Sequence, residues 1–289
     1  MKPYRVQVII PVYNSKKTIA RCLESLKSQT FSQWQALIAD DASTDGSAEI
    51  IKGFAENDDR FVYIRCDRNG GPARARNKAL ELLDGEYTAF LDSDDIWEKD
   101  MLKKLFALAD GCGADVVQCG FSYELPGGKM LYPKGAFGND VVLRGSGLRK
   151  IYLRMMTGIN MNHVCMKLIR SDIIRGMRFD TELKTAEDID FCIRMFRNAN
   201  TYCYTADRLY RYYRGEGSLT GGGLSFGERL AANKRVSRTL AAALPSVGMN
   251  GLFFRLLAYA RPYIIICSKA VRIIREKYGA AAGEGVKSK

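Results

Sequence analysis

A single histidine, His163, stands in the 289 residues, so no metal site built from several imidazoles is possible. The eight cysteines (Cys22, Cys66, Cys112, Cys119, Cys165, Cys192, Cys203 and Cys267) form no C-x-x-C pair. That removes the usual zinc-ribbon and dithiol spacings. Several lie in apolar runs, where free cysteine behaves as a small hydrophobe. The opening MKPYRVQVIIPVYN lacks the charged head, apolar core and small-residue cleavage site of a signal peptide, and reduced thiols in a cytoplasmic protein are the expectation. No G-x-G-x-x-G follows the first apolar run, which argues against a dehydrogenase. A spanning helix needs about 20 apolar residues with few charges. The stretch 252–277 is interrupted by Arg255, Arg261, Lys269, Arg272 and Arg275 and does not meet that requirement.

The composition is that of a globular protein, 47% hydrophobic and 26% charged, with enough chain to bury a core. Net charge is +12, distributed unevenly. From Arg229 to Lys289 twelve Lys or Arg face only Glu276 and Glu284, leaving the first 228 residues at +2.

The first part alternates short apolar strands with amphipathic helices. Strands are expected at Val6–Ile10, Gln35–Ala39, Phe61–Arg65, Tyr87–Leu91 and Asp115–Gly120. The helices between them run through Ile19, Cys22, Leu23 and Leu26 (with Ser15 as N-cap), Ser47–Phe54, Ala73–Leu83 and Asp100–Ala109. This alternation predicts a mostly parallel sheet with helices on both faces. Such sheets bind ligands outside the carboxyl ends of their strands. The polar clusters Pro11-Val12-Tyr13-Asn14, Asp40-Asp41 and Asp92-Ser93-Asp94-Asp95 fall at those ends. Turn chemistry alone would place Asp, Asn and Ser there too, but several clusters on one edge favour a site. From Leu125 to Gly147 the pattern weakens. It returns with Val164–Ile169 and with a helix through Ile189, Ile193 and Phe196.

VIIPVYN (Val8–Asn14), DDASTDGS (Asp40–Ser47), GGPARARN (Gly70–Asn77), GEYTAFLDSDD (Gly85–Asp95) and AEDIDFCIRM (Ala186–Met195) occur in this order. Together they resemble the family 2 inverting glycosyltransferases of the GT-A fold, over roughly residues 5–218. The resemblance implies a Rossmann-like α/β catalytic domain over 1–220, with a nucleotide-sugar half to about 120 and an acceptor half beyond. A basic helical extension over 221–289 would follow.

The resemblance also assigns roles. Asp92-Ser93-Asp94 matches the D-x-D motif, with Asp94 the ligand of Mg²⁺ or Mn²⁺, Asp92 a ribose or metal contact and Asp95 in reserve. Hard carboxylate oxygens suit either ion, which keeps waters and substrate phosphates in its shell. Pro11, Val12, Tyr13 and Asp41 match the nucleotide pocket, which points to uracil and hence a UDP-sugar. Tyr13 could equally be a packing residue. Arg76, after a Gly-Gly-Pro turn, suits a phosphate, although Arg74 and Arg76 could both be surface residues. Asp188 matches the general base, which must come within about 3 Å of the acceptor hydroxyl. Glu187 and Asp190 are its neighbours, and all three also suit a plain acidic first helical turn. His163 is an acceptor-pocket candidate or a structural histidine. Tyr212-Tyr213-Arg214 with Ser218 resembles the loop near the diphosphate.

After Pro262, Ser268, Lys269, Arg272, Arg275 and Glu276 project on one helical arc, and Tyr263, Ile266, Cys267, Ala270, Val271, Ile273 and Ile274 on the other. A basic amphipathic helix can lie on an anionic membrane or pack on protein. The membrane reading suits a lipid-linked saccharide acceptor and a peripheral position on the inner face of the cell membrane. The rivals are a nucleotidyltransferase of related fold and a nucleic-acid-binding module. The tail's apolar face and the want of an aromatic base-stacking platform argue against nucleic acid.

Overall fold

The computed structural model describes residues 4–157, 161–215 and 224–264. It is an α/β fold with ten strands in one sheet: β1 (Val6–Val12), β2 (Trp34–Asp40), β3 (Phe61–Arg65), β4 (Tyr87–Phe90), β5 (Ile96–Trp97), β6 (Val116–Glu124), β7 (Met130–Leu131), β8 (Val141–Arg144), β9 (Lys167–Arg170) and β10 (Thr201–Tyr213). The strand order is β3-β2-β1-β4-β9-β6-β10-β5, with β7 on β6 and β8 on β10. β1 pairs in parallel with both β2 and β4, and β6 with β10. Antiparallel β9 joins the two halves. Two antiparallel steps restore direction, so β1, β2, β4, β6 and β10 all end at the same edge.

The helices are α1 (Ile19–Lys27), α2 (Ser47–Asn57), α3 (Pro72–Leu80), α4 (Met101–Cys112), α5 (Arg149–Thr157), α6 (Glu187–Asn198) and α7 (Phe226–Ala243). A further helix, α8, covers 252–264 of the described residues. β1 is buried along its whole length, as a central parallel strand covered on both faces must be. α1 turns Ile19, Cys22, Leu23 and Leu26 inward, matching the predicted periodicity. Burying such side chains stabilises the fold by roughly 1.5–3 kcal/mol each.

The structure revises several local expectations. Ser15 does not cap α1; the cap position is Thr18, without a side-chain hydrogen bond. The order expected over Val164–Ile169 is strand only from Lys167. The expected end of the catalytic domain near residue 220 lies outside the described residues. Beyond it, α7 packs on α6, and its Val236 and Leu240 are fully buried. Thr239 donates its hydroxyl to Asp190 at 2.7 Å, and Arg235 pairs with Asp180 and Glu182. Arg261 of α8 is wholly buried, donating to the Met155 carbonyl and the Asn233 side chain. The arc expected between Tyr263 and Lys277 lies, from residue 265 on, outside the described residues.

Candidate active site

The carboxyl ends of β1, β2 and β4 and the start of α6 bring the sequence-picked side chains together. Three of the four non-glycine residues with a positive φ among the described residues lie in these segments: Asn14 (48°) after Tyr13, Ala42 (60°) after Asp41 and Ala186 (66°) before Glu187; the fourth, Met166 (66°), directly precedes β9. Left-handed backbone is costly for an L-residue, and such strain concentrates where a fold must present side chains in a set geometry.

On the donor side, Tyr13 is 44% exposed at the end of β1, with its ring open to stacking, whereas Val12 is buried. Asp41 accepts the backbone N–H of Gly70 at 3.0 Å and of Gly71 at 2.6 Å. The amino end of α3, the segment where a phosphate was expected, is therefore held by this carboxylate. A carboxylate offers about four acceptor positions, so three contacts, with Gly70 N–H reaching both oxygens, leave one unused. Ser15, freed from capping, lies with its Oγ 2.7 Å from Ser93 Oγ. This bond ties the β1 loop to the D-x-D turn. Asn77 is not turned to the site; its side chain clamps both backbone groups of Phe179.

The turn after β4 divides its three carboxylates. Asp95 is buried, accepting Tyr210 Oη–H at 2.6 Å and the Tyr213 N–H at 2.9 Å, so it anchors β10 and is unsuited to a reserve metal role. Asp94 is half-buried, and burial together with the Asp92 charge pushes its pKa up to about 6. A carboxylate that is hard to ionise without a nearby cation fits a divalent metal site. Among the described residues no group of three or more His, Cys, Asp or Glu forms a cage; Mg²⁺ needs only one or two protein carboxylates.

Arg76 is 4% exposed. Its guanidinium donates from Nη2 to Asp92 Oδ1 at 2.9 Å, and from Nη1 to Asp188 Oδ1 at 2.9 Å and Glu187 Oε1 at 3.3 Å. Burial pushes the Glu187 pKa up, Asp188 adds to this, and Arg76 opposes it. Asp190, two residues on, faces away to Arg194 and Thr239.

His163, Tyr212 and Arg214, the residues expected on the acceptor side, lie near one another through ring contacts with Tyr123 and Tyr212. His163 is exposed, and its ring centroid lies 6.1 Å from that of Tyr212. Loss of water to the surrounding protein still pushes the His163 pKa below its ordinary value, against the pull of Asp188. Arg214 is exposed, its guanidinium 3.8 Å from the Tyr123 ring centroid. Ser218 lies outside the described residues.

Two supports went unread in the sequence. Arg21 of α1 donates to the Asp94 carbonyl at 3.2 Å, pairs with Glu124 and lies over the Tyr213 ring. Lys167 is wholly buried and donates to the His163 carbonyl. A lysine inside the apolar run Val164–Ile169 is the signal that could have revealed it. A separate cleft of about 430 Å³ lies at the opposite edge of the sheet. Its charges are matched within it or close by, as in Arg5–Glu86, Arg175–Asp172 and Arg170–Asp115, and the chemistry does not lie there.

A mostly parallel α/β sheet whose carboxyl edge gathers acidic side chains beside an acidic helix start is the architecture of a GT-A glycosyltransferase, and the comparisons agree. The family model for glycosyl transferase family 2 matches residues 7–177; the chain belongs to this family. Glycosyltransferase GlyG of Streptococcus pneumoniae is 27% identical over 220 residues, 74% of this chain and 72% of that one. The uncharacterized glycosyltransferase YibD of Escherichia coli is 33% identical over 218 residues, 72% of this chain and 61% of YibD. The crystal structure of Staphylococcus aureus TarS 1-349 in complex with UDP-GlcNAc superimposes with a TM-score of 0.73 at 26% identity, covering 88% of this chain and 70% of that one. The full TarS, a poly(ribitol-phosphate) beta-N-acetylglucosaminyltransferase, is matched over only 35% of its length.

Proposed function

We propose that the protein transfers a hexosyl or N-acetylhexosaminyl group from a UDP-sugar to an acceptor hydroxyl with inversion, in the assembly of a cell-surface polysaccharide. The observation that carries this is the placement of Asp188. Its Oδ1 is fixed by Arg76 at 2.9 Å, while its Oδ2 accepts no hydrogen bond among the described residues. The free oxygen takes the acceptor proton as the acceptor oxygen attacks the anomeric carbon. The bond from that carbon to the diphosphate oxygen breaks on the opposite face, and the electron pair leaves with UDP. Tyr13 stacks on the base and Asp41 receives its imide N–H. Asp94, with Asp92, would hold Mg²⁺ or Mn²⁺, which supplies Lewis-acid neutralisation of the leaving diphosphate. Family membership favours glycosyl transfer over the nucleotidyl-transfer alternative, and the UDP-GlcNAc complex of TarS supports a uridine donor.

The deciding experiment is a screen of UDP-sugars with Mn²⁺, reading UDP release and product, for the wild type and Asp188→Asn. The reading predicts calorimetric UDP binding in both proteins and transfer only in the wild type, reduced in the variant by about 10²–10⁴-fold. Transfer at wild-type rate by Asp188→Asn would remove the base.

We further infer that the acceptor is a lipid-linked saccharide reached from an anionic membrane surface. No helix among the described residues is long and apolar enough to cross a bilayer. On α8, however, Leu252, Phe253, Leu256, Tyr259 and Tyr263 are between 47% and 72% exposed. Four of them recur at helical spacing, and Arg255 is exposed among them. Apolar and aromatic residues beside arginine fit an interfacial helix.

A further inference from the structure

Arg76 holds carboxylates from both halves of the site on one buried side chain. Asp92 follows β4, while Glu187 and Asp188 open α6. The guanidinium lies between them with its Cζ 5.3 Å from the Phe179 ring centroid. Each aspartate offers only its Oδ1 to the arginine. Among the described residues neither Oδ2 accepts a hydrogen bond, so each aspartate keeps one oxygen beyond its pairing with the arginine.

We propose that Arg76 is a positioning residue that sets the spacing between Asp92 and the base Asp188, and that it is not itself a donor-phosphate ligand. This rests on the reading of Asp188 as base. Guanidinium is a planar fork with donors at fixed separation, so two carboxylates bound to its two ends are held at a fixed distance. Any relative movement of β4 and α6 would break one bond. The Nε of Arg76 is buried and has no hydrogen-bond partner among the described residues, so a phosphate drawn to Arg76 would meet its Nη groups in competition with Asp92, Asp188 and Glu187, and separating the buried guanidinium from those carboxylates is unfavourable. Lysine keeps the charge but is a point donor on a flexible stem and cannot define the spacing.

The test compares Arg76→Lys and Arg76→Met with the wild type by UDP calorimetry in Mn²⁺, by donor and acceptor kinetics and by thermal melting. In Arg76→Lys the expected result is UDP affinity and donor KM within threefold of wild type. Its kcat should fall by about 10²-fold, the usual consequence of about 1 Å misplacement. Arg76→Met should lose a further tenfold, so lysine gives partial rescue. A tenfold or greater loss of UDP affinity with kcat retained would make Arg76 a phosphate ligand and overturn the proposal. So would a kcat within threefold of wild type in both variants. Asp188→Asn run in parallel separates the two readings. Transfer retained there removes the base, whereas transfer lost there but kept in Arg76→Lys removes only the positioning role. Should the variants fail to fold, arginine side-chain NMR of the wild type decides. The Arg76 Nη signals should be rotationally restricted before UDP is added and nearly unmoved by Mg²⁺ and UDP. A large Nη shift on UDP addition refutes it.

Discussion

Tyr210 donates its hydroxyl to Asp95 Oδ2 at 2.6 Å, and the Tyr210 hydroxyl oxygen in turn accepts the backbone N–H of Asp92 at 3.3 Å. One phenol thus ties β10 to the turn that carries the D-x-D motif. Burial, with Asp92 and Asp94 nearby, pushes the Asp95 pKa well above its ordinary value, and the hydrogen bonds from Tyr210 and Tyr213 oppose that rise. Tyr210→Phe should lower stability by about 1–3 kcal/mol, read as a shift in urea midpoint. It should also lower kcat/KM about tenfold, because Asp92 loses its backbone anchor. Unchanged values for both would show that the phenol is dispensable.

Asp94 links metal, pH and stability. Its pKa stands at about 6 instead of its ordinary value of 3.8, so the folded protein binds that proton more tightly than the unfolded chain. Without metal, the favourable contribution is complete below the ordinary value and is lost as pH rises through about 6. Asp94→Asn, which cannot ionise, should therefore melt above the wild type at pH 7.5 in chelator. At pH 4 the two should melt together. Mn²⁺ must displace the proton, so metal-dependent UDP binding should weaken by up to tenfold for each pH unit below about 6. Coincident melting at pH 7.5, or UDP binding indifferent to both chelator and the variant, would separate Asp94 from the metal.

The parts of this fold legible in sequence are those where one interaction dominates. β1 reads as a strand because it is apolar throughout and buried on both faces, and Asp92 and Asp188 are locatable because they open or close regular elements. β10 was not anticipated. Its inward positions are tyrosines such as Tyr202, Tyr210 and Tyr212, interleaved with Arg and Asp, so no apolar run marks it. Ser15 illustrates a different failure. Its position before a helix suggested a cap, but Ser93, far away in sequence, competes for the hydroxyl. The same holds for Arg76, whose three acidic partners are assembled only by the tertiary fold. Local patterns indicated which residues matter, and long-range pairing decided what each one holds.

The exposed stripe on α8 yields a prediction about membranes. The double variant Phe253→Ser with Leu256→Ser removes two of its most exposed apolar side chains. In flotation assays the wild type should bind phosphatidylglycerol vesicles in preference to phosphatidylcholine vesicles. The variant should lose at least tenfold in partitioning, since each apolar group removed is worth about 1–2 kcal/mol at the interface. Transfer to a water-soluble acceptor should stay within threefold. A wild type that ignores vesicles but forms a dimer in gel filtration, with the variant monomeric, would show that a second copy covers the stripe.

Ala186 tests whether the backbone strain beside the base is useful. Its φ of 66° places an L-residue in the left-handed region at a cost of roughly 1–2 kcal/mol, directly before Glu187 and Asp188. Glycine adopts this conformation freely but loses about 0.5–1 kcal/mol through greater freedom in the unfolded chain. Relief should slightly outweigh that loss, so Ala186→Gly should match the wild type in stability or exceed it by up to about 1 kcal/mol. The same freedom loosens the start of α6, on which the base is mounted, so kcat should fall about threefold to tenfold while UDP affinity is unchanged. Denaturant titration and steady-state kinetics on one preparation measure both. A clear loss of stability would mean that the Ala186 methyl is packed to advantage. Full activity with raised stability would mean that the strain does nothing for catalysis and that Arg76 alone suffices to aim Asp188.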